Sequence, residues 1–139
     1  EAAYRSLTIS WFKHSGITDL LKELRNSNFE LIITTDHGTI KVNNPLKVIG
    51  ERNTNTNLRY KFGRNLNYNP KEVFEIKKPG DARLPAPFIN TTFIFAGNQD
   101  FFAYPNNYNY YAGHFKNTFQ HGGISMEEMM IPLIRLQPK

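Results

Sequence analysis

The stretch FELIITTDHGTIKV, Phe29 to Val42, opens as an apolar run and closes on an aspartate, a histidine and a glycine. Phe29 to Thr35 has the length and the β-branched content of a buried strand. Successive residues of a strand point to opposite faces, so Asp36 and His37 converge on one point only where the backbone leaves extended geometry. Gly38 permits that departure. A lone carboxylate is costly to bury, and Asp36 therefore needs water, a hydrogen-bond donor or a cation. In open α/β sheets the carboxyl ends of strands are where ligands bind. Two readings stand at this point: a turn in which Asp36 caps backbone amides with His37 on the surface, or a metal site.

Working outward, EAAYRSLTISWF and ITDLLKELRNS read as helices, the second with Ile17, Leu20, Leu21 and Leu24 at helical spacing and Thr18 or Asp19 near its start. Helix, short link and continuous apolar strand is the rhythm of an α/β domain whose sheet is covered on both faces. Residues Asn53 to Pro70 are rich in asparagine and basic side chains, which predicts an exposed insertion around a short strand at Leu58 to Phe62. TTFIFA and MMIPLIRL supply two further strands, the latter placed at an edge or bulge by Pro132.

The chain has 139 residues, 40% of them apolar, enough for one sizeable core, so residues 1–139 are expected to form a single unit. It begins without a methionine or a basic leader, and it carries no apolar run of about 18 residues. A piece of a longer, cytoplasmic protein with no membrane segment is the expectation. The absence of cysteine excludes a disulfide framework, a thiolate zinc site and a cysteine nucleophile, so any metal must be held by oxygen and nitrogen. A net charge of +5 favours anionic partners such as phosphate esters or nucleic acid.

A second constellation lies in TFQHGGISMEEMMIPLIRL, Thr118 to Leu136. His121 precedes two glycines that leave its imidazole uncrowded, and Ser125 is a candidate N-cap for a turn containing Glu127 and Glu128. An ordinary turn followed by a solvated helix face accounts for the same residues. His14, in WFKHSG, reads as a helix C-terminal residue. His114 lies seven residues before His121, on the same face if one helix were to carry both; it reads as a packing or surface residue or as a substrate contact.

TTDHG after an apolar strand, with HGGISMEEMMIP leading into the last strand, resembles the C-terminal part of a PglZ domain of the alkaline phosphatase superfamily. The segments AYRSLTISWFKHSGITDLLKEL, RNTNTNLRYKFGRN and YYAGHFKNTFQHGGISMEEM resemble response regulators of the type IX secretion system in Bacteroidetes. The resemblance implies an alkaline-phosphatase-like α/β sheet covered by helices, present here as its C-terminal portion only. It also implies two-metal phosphoesterase chemistry, with zinc or manganese as the pair of divalent metals. Asp36 and His37 match the pair that ligates the metal near the nucleophile, and His121 matches the late histidine on the other metal. The family's nucleophile, early aspartate and Asp-x-x-x-His segment lie upstream of the Asp-His pair. Thr34 and Thr35 sit on the strand itself, and Asp19 has no histidine four residues on. The fragment alone is therefore expected to be inactive, with an upstream receiver domain in the resembling regulators and a homodimer or a signalling or transcription partner open to it.

For substrate, Arg59, Lys61 and Arg64, alternating with Tyr60 and Phe62, offer phosphate contacts and stacking for an oligonucleotide, with His114 beside them; a hairpin with one solvated basic face explains the same pattern. Among the aromatics, Phe101, Phe102 and Tyr104 are expected in the core. Two rival functions remain: a nucleic-acid-binding module without metal, and a docking module that keeps a phosphatase fold.

Overall fold

The computed structural model describes residues 2–138, in two compact units. One unit joins the N-terminal segment through Thr35 to the C-terminal segment from Pro132, and the other is Asp36–Ile131.

The first unit contains α1 (Ala2–His14), α2 (Gly16–Leu24), and the antiparallel pair β1 (Leu31–Thr34) and β9 (Leu133–Leu136). Ser15 is the N-cap of α2, so the helix begins earlier than Thr18. Ile17, Leu21 and Leu24, at i, i+4 and i+7, are half-buried together with Thr18, whereas Leu20 is exposed. His14 lies in the last turn of α1 and donates from Nδ1 to the Ser10 carbonyl at 2.8 Å, the helix-end role expected of it. Pro132 falls just outside β9, and its carbonyl accepts a hydrogen bond from Thr34 Oγ1 at 2.8 Å. β1 has a single strand neighbour and alternates half-buried with exposed side chains, unlike the fully covered strand that its composition predicts. The alternation leaves one face of β1 partly covered and the other open to solvent.

The second unit holds seven strands. β4 (Tyr60–Gly63), β6 (Thr92–Ala96) and β5 (Val73–Ile76) form an antiparallel sheet with β6 in the middle. β3 (Asn44–Lys47) runs parallel to β7 (Asp100–Ala103), and β2 (Ile40–Lys41) pairs antiparallel with β8 (Phe119–Gln120). Helices α3 (Tyr108–Phe115) and α4 (Met126–Met129) complete it. Mixed helices and small sheets therefore stand where one broad covered sheet was expected. Asparagine explains much of the interruption: of the six non-glycine residues with positive φ, five are Asn65, Asn90, Asn98, Asn107 and Asn117. Asparagine tolerates the left-handed region better than most residues, so these positions close turns between short strands, and Asn107 sets the start of α3.

The core follows from strand alternation. Phe101 and Phe102 are consecutive on β7 and fully buried, so they point to opposite faces. Phe101 joins Ile40, Val42 and Ala103. Phe102 joins Val48, Ile94 and Ala96. Tyr104, just past the strand, is half-buried and donates its hydroxyl to Asn55 O at 3.1 Å.

The Asn53–Pro70 segment is built into the fold instead of standing off it. Arg59 and Lys61 are buried, and Asn55 and Asn57 accept backbone hydrogen bonds from Phe62, Arg59 and Tyr60 through their side-chain oxygens. Replacing Phe102 by Ala should lower the unfolding free energy by about 3–5 kcal/mol. Urea denaturation measures it, and a loss below about 1 kcal/mol would show that this ring is not central to the core.

Candidate functional site

Asp36 and His37 follow β1 by two and three residues, and His121 follows β8 directly. The fold brings the two histidines together: their rings stack with centroids 3.8 Å apart and planes 8° from parallel. His37 Nδ1 lies 2.9 Å from the Gly38 carbonyl oxygen. A carbonyl only accepts, so Nδ1 carries a proton there and Nε2 is the nitrogen turned toward Asp36. Nε2 lies 3.7 Å from Asp36 Oδ2, whose partner oxygen Oδ1 accepts from the His37 amide at 3.1 Å. Two donors each about 2.0 Å from a tetrahedral ion stand roughly 3.3 Å apart, close to this separation. His121 and Asp36 are exposed and His37 is half-buried, so the cluster is open to solvent. Among the described residues, no set of three or more His, Asp or Glu side chains surrounds a single point.

Three glycines make the approach possible. A Cβ on Gly38 would sit 1.9 Å from the Glu127 carbonyl oxygen, while its amide donates to Glu128 O at 2.9 Å. Gly122 has φ +104°, and a Cβ there would lie 3.0 Å from Tyr60 Cδ1. On Gly123 a Cβ would lie 2.6 Å from Ala96 O and 2.7 Å from Arg59 Nη2. The glycines beside both histidines are thus close-packing positions.

What fixes the two motifs to each other is a network that no spacing rule singled out. Arg59 donates from Nε to Glu128 Oε1 at 2.8 Å and from Nη2 to Oε2 at 2.6 Å, a two-pronged pair with both side chains buried. Nη2 also donates to Ser125 Oγ at 2.8 Å, and Nη1 to the carbonyls of Gly97 and Asp100. Glu128 in turn accepts from the amides of Gly123 at 2.9 Å and Ser125 at 3.2 Å, the latter part of a capping box that starts α4. Burial alone would raise the Glu128 carboxyl pKa, but hydrogen bonds from Arg59, Gly123 and Ser125 and the Arg59 charge outweigh it and hold the carboxyl below its ordinary range. The Ser-x-x-Glu spacing of Ser125 and Glu128 was the available signal. It identified the helix start but not the inward turn of Glu128, which had been read as a solvated face.

The family can now be stated from the match itself. The sequence pattern of the BREX system PglZ alkaline phosphatase-like domain fits residues 6–136. The chain belongs to the PglZ family. No curated protein matches it. Within this PglZ domain no helix among the described residues is long and apolar enough to cross a membrane.

The substrate residues expected in the PglZ domain are dispersed. Arg59 is spent on Glu128, and Lys61 is buried with Nζ donating to Asn55 O at 2.8 Å and lying 4.4 Å from the Tyr104 ring centroid. Neither presents a free cation to solvent. The reason is alternation: β4 turns Lys61 inward and leaves Tyr60 and Phe62 to stack with Phe95 and Phe93 on the other face. Arg64 is exposed, 3.3 Å from Glu51, with its guanidinium 5.2 Å from the Phe88 ring centroid. His114 is exposed on α3 and stacks on Tyr110 at 5.7 Å; that helix ends at Phe115, so it does not carry His121.

Glu128→Gln should destabilise the domain by about 3–5 kcal/mol, because it strands the buried Arg59 charge. In the parent chain the contribution of Glu128 is fully present above the ordinary glutamate value of 4.5 and is lost as pH falls through its lower folded value. Acid titration of the urea midpoint, steeper in the parent than in Glu128→Gln, checks the sign. Burial pushes the Lys61 ammonium pKa from 10.5 down to about 8. Between these values the unfolded chain keeps a proton that the folded chain has released, so unfolding free energy should rise with pH. The rise should be absent in Lys61→Met. It is opposed above 10.0, where Tyr68, pushed up to about 12 by burial and its Glu75 partner, keeps its proton only when folded.

Proposed function

We propose that this PglZ domain is the metal-binding portion of a phosphodiesterase. The observation that carries the reading is the His37–His121 stack. A metal ion binds in the plane of an imidazole along the nitrogen lone pair, so two nearly parallel stacked rings cannot both ligate one ion. They can serve two ions side by side, and two-metal phosphoesterase sites hold their ions about 3.5–4 Å apart. The donor chemistry fits: Asp36 with His37 would hold one ion and His121 the other, and an all-nitrogen-and-oxygen set suits zinc or manganese. When bound, such ions neutralise charge on a transferring phosphoryl group and lower the pKa of the attacking hydroxyl. The chain's own part is to orient the ligands. The Gly38 carbonyl fixes the His37 tautomer, and the Arg59–Glu128 network fixes α4 against Gly38.

The attacking hydroxyl and the remaining ligands belong, in this reading, to an upstream part of the same domain in a response regulator with a receiver module. The resemblance of the flanking segments to type IX secretion regulators supports that context. A metal-free nucleic-acid module acting through the basic segment is less well supported, because Arg59 and Lys61 are buried.

Metal content by plasma mass spectrometry on the full-length protein should show about two zinc or manganese ions per chain. His37→Ala and His121→Ala should each lower the content and abolish diester hydrolysis while leaving the circular dichroism spectrum unchanged. Undiminished metal and activity in both variants would remove these residues from the site.

A further inference from the structure

A cavity of about 440 Å³ opens in the Asp36–Ile131 unit, walled by Tyr104, Tyr111 and Phe115, with Asn57 and Gln120 among its lining. Its volume lies within the roughly 300–1,000 Å³ range of small-molecule sites. Aromatic walls with a few polar groups suit a flat, partly polar ring.

The two amides are poised as one donor and one acceptor. Asn57 Oδ1 accepts from the Arg59 and Tyr60 amides at 2.7 and 3.2 Å, which assigns Nδ2 as the amide's other end. Gln120 Nε2 donates to Thr118 Oγ1 at 2.9 Å, which leaves Oε1 as an acceptor. The edge of a heterocyclic base can use both an amide donor and an amide acceptor lining one cavity, and a plain hydrocarbon ring cannot. The cavity also adjoins the histidine pair through covalent and packing neighbours. Gln120 precedes His121, and Asn57 packs on Gly122, where a Cβ would lie 3.3 Å from both amide atoms. Gln120 to Gly122 therefore forms the partition between an aromatic cavity and the proposed phosphate end.

We propose that this cavity holds one nucleobase of a nucleotide ester, with Tyr111 stacking on the base and the Asn57 and Gln120 amides reading its edge. That the base belongs to an ester cleaved at the histidine pair rests on the phosphodiesterase reading; that the cavity holds a base does not. Tyr111 is the accessible wall, 40% exposed on α3, and is not a member of either buried cluster.

The test titrates the full-length protein with adenosine and guanosine, which carry no phosphate, and follows the Gln120 side-chain amide by nuclear magnetic resonance. It is run beside cleavage of a dinucleotide by the metal-loaded protein. At least one nucleoside should shift the Gln120 signal. Tyr111→Ala should weaken its binding by about tenfold, in line with base–aromatic stacking, whereas Tyr111→Phe should bind like the parent. Gln120→Leu, a second variant at a separate wall, should weaken the nucleosides unequally. Dinucleotide cleavage without nucleoside binding, or with binding indifferent to Tyr111→Ala, overturns the cavity proposal and leaves the phosphodiesterase reading standing. Nucleoside binding of the expected pattern without cleavage supports the cavity and counts against that reading.

Discussion

The buried ion pair of Arg59 and Glu128 is the constraint on which the site depends. Two charges withdrawn from water are tolerated only when the surrounding lone pairs and protons are satisfied. Here Arg59 reaches Glu128, Ser125 and the carbonyls of Gly97 and Asp100, and Glu128 takes the amides of Gly123 and Ser125. Those partners lie on three pieces of the chain, so the ion pair ties the β6–β7 turn, the His-Gly-Gly segment and α4 together. Gly38 then docks on α4 by its amide and its missing Cβ. The two histidines meet because their supports meet.

This arrangement separates two uses of positive charge. Arg59 and Lys61 hold the structure from inside, whereas Arg64 remains at the surface. The aromatic walls of the cavity come from the residue after β7 and from α3, whose Phe115 also packs on the core.

Legibility in the sequence followed the range of the interaction. Asp36 and His37 stood out because they and Gly38 end an apolar run, and His121 because two glycines follow it, both local signals. Phe101 and Phe102 were readable as core for the same reason. Arg59, Lys61 and Glu128 were misread because a charged residue is ordinarily solvated, and only the tertiary partner reveals otherwise. The helices Ala2–His14 and Gly16–Leu24 and the strand Leu133–Leu136 formed where the sequence placed them, with ends shifted by a few residues. The breadth of the sheet did not, since pairing between distant strands leaves no mark within either one and the left-handed asparagines cut the strands short.

The adjacency of Phe101 and Phe102 has a further meaning. One strand supplies an anchor to each of two hydrophobic clusters, on opposite sides of itself. A slip of β7 by one residue against β3 would exchange the faces of every side chain and bring Asp100 to a position now filled by phenylalanine. Misregistered pairing is therefore penalised on both sides at once, and loss of either cluster pulls the strand from the other, so the two should melt as one cooperative body and not as separable layers.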